Sequence, residues 1–235
     1  ERKNNMKKFA AALCGTLLTL APLVHAADNG KELERLQAAE GVINEIMATP
    51  DKSIPQSILS GAYCVTVIPS YKKAAFVVGG QYGQGVTTCR TGHGWSAPVF
   101  VKLTGGSVGF QIGGQATDLV IIAMNQKGMQ DMLKNKFKIG GDAAASAGPV
   151  GRNAQAGTDW KLNAELLTYS RSKGLFAGID LEGAWFEQNA DDTRDFYGSA
   201  IPFETILKGN TPTPPSAHPF VSTVAKYFVT AKASQ

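Results

Sequence analysis

Residues 169–183 read YSRSKGLFAGIDLEG, an apolar strand-like pattern that glycine interrupts at positions 174, 178 and 183. Glycine weakens the interior of a β-strand, and it is found there mainly where a sheet bends or another backbone approaches closely. The stretch therefore predicts one strand of a curved sheet.

The same period of two recurs from residue 62 onwards. Strands are predicted at 62–68, 74–80, 84–90, 96–104, 107–114, 116–124, 140–149, 162–171 and 174–187. Turn-like residues separate them, at Pro69-Ser70, Gly79-Gly80, Gly92-His93-Gly94 and Gly105-Gly106. Short strands joined by tight turns are typical of antiparallel meanders. The predicted class is α+β, with a curved antiparallel glycine-rich sheet that is either barrel-like or a sandwich.

Helical periodicity appears before, between and after the strands. An N-terminal helix is predicted over 31–48, one inserted helix opens at Asn125, and short C-terminal helices follow. The predicted domain organisation has an extension and signal peptide at 1–26 and a helical segment at 27–60. A β-rich domain covers 61–208, and a Pro-rich linker with a C-terminal helix covers 209–235.

The first 26 residues are predicted to be an extension and a secretory signal peptide. Lys7 and Lys8 precede an apolar run over 9–23, which is too short for a membrane span, and cleavage is predicted near Ala26. Removal of this segment leaves 19 basic and 18 acidic residues, a net charge of +1. Nucleic-acid binding is not predicted, because it usually needs a strong basic excess. The predicted location is the periplasm or the cell exterior.

Two cysteines, Cys64 and Cys89, remain after the signal peptide is removed. An even pair in an exported chain is most simply a disulfide, here expected to join two neighbouring strands, and two buried free thiols are the alternative. A metal site is not predicted, because no Cys-x-x-Cys occurs and only His93 and His218 remain. No cofactor is predicted.

The sequence GGSVG at 105–109 matches the G-x-S-x-G nucleophile elbow, with Ser107 as the nucleophile. That motif needs a strand before it, a helix after it, and an acid and a histidine further along. Another strand is predicted to follow here, and His218 lies in a Pro-rich segment. A hairpin turn is the favoured interpretation, a serine hydrolase is the remote alternative, and no enzyme activity is predicted.

A basic segment surrounds a Met/Leu/Phe stripe in residues 127–138, with Lys127, Lys134, Lys136 and Lys138. A basic amphipathic helix can lie on an anionic lipid surface. Packing of the stripe on the sheet, with the lysines in solvent, is the favoured alternative. Arg152 follows a Gly-Pro turn, and its planar fork suits phosphate or carboxylate, either in a ligand or in a structural ion pair.

Several segments together resemble the SYLF domain family, which is related to the yeast actin-patch, Las17-binding actin regulator proteins. They occur in order over about residues 35–187 and are specific in their spacing. The segments are KAAFVVGG (73–80), GQGV (83–86), WSAPVF (95–100), GSVGFQIG (106–113), TD (117–118), MN (124–125), AGPVGR (147–152) and the opening stretch 169–183.

The resemblance implies phospholipid binding, with phosphoinositides as ligands of eukaryotic members, a membrane-contacting helix ahead of the sheet, and no catalysis. The predicted function is that of an exported, non-catalytic phospholipid-binding protein at the cell envelope. A protein-interaction or scaffold module is the alternative, and its partner would be an envelope protein. Basic side chains that would bond a headgroup phosphate are predicted to be Lys73, Arg90, Arg152, Arg171 and Lys173.

Overall fold

The computed structural model describes residues 29–48, 53–151, 164–172 and 175–229, with the backbone alone for 74–78 and 107–115. The predicted signal peptide, Arg152 and Lys173 lie outside the described residues. The predicted α+β class is confirmed: a strongly curled half-barrel sheet carries an N-terminal helix and short C-terminal helices.

Two long strands form most of the sheet, β1 (Cys64–Thr91) and β3 (Val99–Ala123). The short strands are β2 (Gly94–Trp95), β4 (Lys136–Lys138), β5 (Ala145–Ala147), β6 (Leu166–Ser172), β7 (Leu175–Gly178) and β8 (Trp185–Gln188). The helices are α1 (Gly30–Met47), α2 (Gln56–Gly61), α3 (Gln126–Leu133), α4 (Ala190–Tyr197), α5 (Phe203–Leu207) and α6 (His218–Tyr227). A single 3-10 turn, Pro215–Ala217, precedes α6.

The sheet is built around the antiparallel pairing of β1 with β3, from Cys64 opposite Ala123 to Thr87 opposite Val99. The edge of β3 that faces away from β1 pairs with two strands. Its C-terminal part pairs with β6, and its N-terminal part pairs with β8. β5 pairs parallel with β6, so a purely antiparallel sheet was a wrong prediction there. Residues 148–165 join these two strands and are long enough for the crossover that a parallel pair requires.

The six strands predicted between 62 and 124 are in fact two, and this prediction of the strand boundaries was wrong. The glycine pairs at 79–80 and 105–106 lie opposite each other inside the β1–β3 ladder, with Gly80 paired to Gly106. Facing small residues let the two strands bend together, and register shifts at Ile68/Tyr71 and Ala75/Val77 absorb the bend. The predicted strand 140–149 shrinks to β5, and 174–187 divides into β7 and β8.

Strand β1 folds back on itself. Cys64 and Cys89 are separated by 25 residues, which would span roughly 80 Å in an extended strand, yet their Cα atoms are 3.9 Å apart. Glycine permits the close return, because a Cβ on Gly85 would lie 2.2 Å from the carbonyl oxygen of Val67. The predicted disulfide is therefore present, but it joins the two ends of one strand instead of two neighbouring strands.

Side chains from both faces of the sheet enter a buried core. Alternate residues of β3 point to opposite faces, as Val120 and Ile121 show by belonging to different hydrophobic clusters. Helices α1, α2 and α6 cover one face, and α3, α5 and β4 cover the other. Asn125 begins α3 as predicted, since its Oδ1 accepts a hydrogen bond from the backbone N–H of Gly128 at 2.8 Å.

The β1–β3 pair has two parts that we name separately. The inner ribbon is residues 64–68 paired with 119–123, and each of its side chains is at most 1% exposed. The outer ribbon is residues 72–80 paired with 106–116, and no third strand pairs with it among the residues described. The outer ribbon is therefore the part of the sheet that projects beyond the core.

Candidate functional site

Arg90, one of the predicted headgroup ligands, holds the ends of two helical segments together. Its guanidinium donates hydrogen bonds to the carbonyl oxygens of Ala62 at 3.0 Å and Phe228 at 2.8 Å. It also lies over the ring of Trp95, 4.7 Å from the centroid. Burial lowers the pKa of Arg90 below its usual value. These contacts give the guanidinium of Arg90 a structural role, since it links the C-terminal ends of α2 and α6.

Arg171 is bound to two carboxylates. It forms ion pairs with Asp118 at 2.6 Å and with Glu45 of α1, and its side chain is 22% exposed. Asp118 also accepts a hydrogen bond from the backbone N–H of Ser70 at 2.9 Å. This network ties α1 to β3 and β6, and it balances the charge of Arg171 within the protein.

The predicted headgroup ligands that the structure describes do not lie together at one site. Arg171 lies opposite Asp118, whereas Arg90 lies beside Tyr63, whose backbone pairs with Ala123. The two β3 residues that mark these places, Asp118 and Ala123, are five positions apart, roughly 17 Å along the strand. Lys73 lies on the outer ribbon, opposite Gln115. A role for these residues in headgroup binding stays a prediction.

The basic segment 127–138 is not one helix, so that part of the prediction was wrong. Helix α3 ends at Leu133, and the alternating burial of β4 places Lys136 and Lys138 outward on either side of Phe137. The Met/Leu/Phe stripe packs on the sheet as favoured, since Met132 and Phe137 are 1% exposed.

Acidic side chains neutralise most of these lysines. Ion pairs join Lys127 to Glu165, Lys134 to Asp131 at 2.5 Å, and Lys136 to Glu187 at 3.2 Å. The hydrogen bond that Lys134 donates to the carboxylate of Asp131 raises the pKa of Lys134. The surface around α3 and β4 therefore carries less net positive charge than its lysine content suggests.

Ser107 does not lie on a nucleophile elbow. Its backbone is inside β3, opposite Gly79, and the strand continues to Ala123 without a turn into a helix. His218 begins α6, and a ring nitrogen lies 3.0 Å from the carbonyl oxygen of Thr213. The serine-hydrolase interpretation lacks the strand–turn–helix geometry that it requires.

Neither a metal-ligand cluster nor a membrane-spanning helix is found in the described ranges. No group of three or more His, Cys, Asp and Glu side chains there is arranged to hold a metal ion. No helix of those ranges combines the length and the apolar character that crossing a membrane requires.

A groove of about 410 Å³ lies between the beginning of α1 and the base of the outer ribbon. Most of the residues that line it are of basic or polar type. They include Lys31, Arg35, Ser70, Lys72, Tyr82 and Gln84, together with the carboxylate of Glu34. We call this surface the basic groove.

A local break in β1 forms one wall of the basic groove. Pro69 has no N–H to donate to the ladder, and Ser70 has a positive φ of 53°. The returning part of the strand comes close, because a Cβ on Gly83 would lie only 2.6 Å from Cγ2 of Ile68. The break and the return together leave an open concave surface against α1.

The charges in the basic groove are unevenly compensated. Arg35 is 12% exposed and is held by Asp192 at 2.5 Å and by Gln84 at 3.1 Å. Lys31 and Lys72 are exposed and form no ion pair with any residue that the structure describes. The first turn of α1 lies beside the groove, and its N-cap residue, Asn29, makes no side-chain capping hydrogen bond to it. The ammonium groups of Lys31 and Lys72 thus share the lining of the groove with one carboxylate, Glu34, while the first turn of α1 also carries the buried Glu32.

A hydrogen-bonded tyrosine fixes the base of the outer ribbon next to this groove. The hydroxyl of Tyr71 donates to Gln81 at 2.7 Å, and Gln81 donates to the carbonyl oxygen of Gly106 at 3.0 Å. Burial raises the pKa of Tyr71 to about 12. Tyr82, one residue further along β1, remains 47% exposed.

Lys31, Arg35 and Lys72 were not among the headgroup ligands predicted from the sequence. A signal for this surface is nevertheless present, since no Asp or Glu occurs between Asp51 and Asp118. Five basic residues fall in the same interval: Lys52, Lys72, Lys73, Arg90 and Lys102.

Comparisons with known proteins agree on one family. Residues 104–227 match the Ysc84 family, described as Las17-binding protein actin regulator. The chain is 38% identical over 170 residues to an SH3 domain-containing protein of Schizosaccharomyces pombe, covering 71% of this chain and 39% of that protein.

Two further relatives give the same result. The SH3 domain-containing YSC84-like protein 1 of Homo sapiens is 35% identical over 170 residues, covering 72% of this chain and 49% of the human protein. The LAS seventeen-binding protein 3 of Saccharomyces cerevisiae is 34% identical over 173 residues, covering 72% and 38%. The chain spans half or less of the length of the relatives compared here.

Proposed function

Because this chain belongs to the Ysc84 (SYLF) family, we propose that it is a non-catalytic domain that binds anionic phospholipid at a membrane surface. The observation that carries the proposal is the basic groove, where Lys31 and Lys72 are exposed and form no ion pair with a described residue. A headgroup phosphate accepts charge-assisted hydrogen bonds from ammonium groups, and a helix N-terminus favours the same negative charge.

The residues of the basic groove are expected to have different roles in phospholipid binding. Lys31 on α1 and Lys72 on β1 would contact the phosphate, whereas Arg35 is held by Asp192 and shapes the wall. The exposed ring of Tyr82 suits the boundary between headgroups and acyl chains. Glu34 reduces the positive charge of the groove, so the expected binding is weak and falls as salt is raised.

Co-sedimentation with vesicles tests the proposal. The protein should sediment at low salt with vesicles of phosphatidylcholine and phosphatidylglycerol, and not with phosphatidylcholine alone. The variant Lys31→Glu/Lys72→Glu should lose about tenfold or more in affinity, since each lysine near an anionic surface contributes about 1 kcal/mol.

The matched control is Lys208→Glu/Lys226→Glu, which changes the net charge equally at two exposed positions, one directly after α5 and one in α6. It should bind nearly as the wild type does. Absence of wild-type binding to the anionic vesicles would contradict the proposed function. An equal loss of affinity in both double variants would show that the basic groove is not the binding site.

Protein binding is the second candidate function. It is supported by the description of the family as Las17-binding and by the name of LAS seventeen-binding protein 3. A protein partner captured without lipid, and retained by the Lys31→Glu/Lys72→Glu variant, would favour it. An envelope protein is the partner proposed for this chain.

We also propose that the protein works outside the cytoplasm. The disulfide between Cys64 and Cys89 supports an oxidising compartment, because cytosolic thiols are generally kept reduced. Both cysteines are fully buried, so the bond is part of the core of the sheet.

A further inference from the structure

The outer ribbon is a two-stranded structure whose two edges lack a strand partner in the described part of the chain. Lys72 pairs with Ala116, Ala75 with Gly113 and Val77 with Gly109. The register shift between Ala75 and Val77 places residues 110–112 opposite the single residue 76, so the ribbon bends at its far end. Two-stranded ribbons are marginally stable in water by themselves.

The composition of the outer ribbon is unusual for an element that projects beyond the core. Residues 74–89 and 103–117 contain no charged residue at all. The pairing brings a set of large apolar residue types together near the far end: Phe76, Val77, Val78, Val108, Phe110 and Ile112. Basic residues are confined to the base, at Lys72 and Lys73.

The reach of the ribbon is limited. Its base is fixed where Tyr71 bonds Gln81, so residues 72–80 run out and back over roughly 15 Å at most. This length covers the 5–10 Å depth, in round numbers, of the layer where headgroups meet acyl chains. It is about half of the hydrocarbon thickness of a bilayer, which is roughly 30 Å.

We infer that the outer ribbon inserts into the interfacial layer of the anionic membrane, an inference that rests on the proposed function. Its apolar residues enter the outer acyl region, while Lys72 and Lys73 remain level with the phosphates. Insertion stays shallow, because unpaired strand edges do not enter the hydrocarbon core. The charge pattern selects a membrane as occupant, since a ribbon that contains Lys72 and Lys73 and no Asp or Glu of its own complements an anionic surface.

A fluorescent depth measurement tests this inference. An environment-sensitive NBD label on Val77→Cys should shift its emission to the blue and brighten severalfold on vesicles of phosphatidylcholine and phosphatidylglycerol. Nitroxide groups near the headgroup end of the acyl chains should quench it more than groups near the bilayer centre. The control label at Asn210→Cys, an exposed position after α5, should not respond.

Two results separate the inference from the proposed function. Vesicle binding with an unresponsive label at Val77→Cys would overturn the insertion alone. Absence of vesicle binding by the unlabelled wild type would overturn the proposed function and the insertion with it.

A second variant checks the same inference without a label. Phe110→Asp should reduce vesicle affinity about tenfold, whereas Asn210→Asp, with the same change in charge, should not. If the ribbon instead covers a second copy of the chain, the wild type will be a dimer that Phe110→Asp dissociates, with vesicle affinity unchanged, and the inference is overturned. Should Phe110→Asp fail to fold, the labelled Val77→Cys protein decides.

Discussion

The inner and outer ribbons are formed by the same two strands and have opposite surroundings. In the inner ribbon every side chain is at most 1% exposed, and β6 pairs along one edge. In the outer ribbon Lys72, Gly80 and Ala116 are exposed, and no described strand pairs along either edge. One pair of strands thus supplies both the foundation of the fold and the surface to which we assign its function.

The residue types explain the difference between the two ribbons. β-Branched residues fill the inner ribbon, where a stiff side chain packs well on both faces of the sheet. The outer ribbon contains more glycine, at positions 79, 80, 106, 109, 113 and 114, and fewer β-branched residues. Mutations in the inner ribbon should therefore affect stability, and mutations in the outer ribbon should affect binding.

The largest effect is expected from removal of the disulfide at the inner end of β1. Cys64→Ala/Cys89→Ala should lower the free energy of unfolding by about 2–5 kcal/mol, because the unfolded chain gains freedom when the cross-link is lost. Urea denaturation measures the change. Vesicle binding well below the unfolding temperature should be retained, since the outer ribbon is unaltered.

Thiol labelling of denatured, unreduced wild-type protein is the control for that prediction and should find almost no free thiol. An unchanged free energy of unfolding would mean that the inner ribbon does not depend on the cross-link, and it would weaken the division drawn between the two ribbons.

A smaller effect is expected from one glycine substitution made at two places in β1. Gly85→Ala should destabilise the protein by about 1–3 kcal/mol, because the new Cβ would lie 2.2 Å from the carbonyl oxygen of Val67. Gly80→Ala, on the outer ribbon, adds a Cβ that meets nothing within 4 Å. It should change stability by less than about 0.5 kcal/mol.

Thermal or urea unfolding of the two variants in parallel checks this contrast. Equal effects at both positions would show that the outer ribbon is as closely packed as the returning part of β1.

Sequence patterns predicted the elements of the fold better than their boundaries. Asn125 predicted the start of α3 because an N-cap residue acts on the helix that directly follows it. The disulfide was predicted because an exported chain with an even number of cysteines most simply pairs them. Considered separately, Gly79-Gly80 and Gly105-Gly106 each resemble a turn. Their placement opposite each other, which keeps both strands continuous, depends on a pairing between residues far apart in the chain.

The candidate site was harder to predict, because a charge acquires its role from its neighbours. Arg90 and Arg171 resemble ligands for phosphate, but backbone carbonyls engage one and carboxylates the other. Lys31 and Lys72 are far apart in the sequence, and only the return of β1 beside α1 brings them to one groove. The absence of Asp and Glu from residues 52–117 is the sequence feature that indicates the β1 side of this groove.

Hydrogen exchange with and without vesicles tests the central claim most directly. Amides of the inner ribbon should exchange slowly in both conditions, whereas outer-ribbon amides should exchange fast in solution, since they belong to a two-stranded, exposed element. Vesicles of phosphatidylcholine and phosphatidylglycerol should slow the outer ribbon selectively, and phosphatidylcholine alone should not. Vesicle-bound protein whose outer-ribbon amides exchange as fast as in solution would contradict the account.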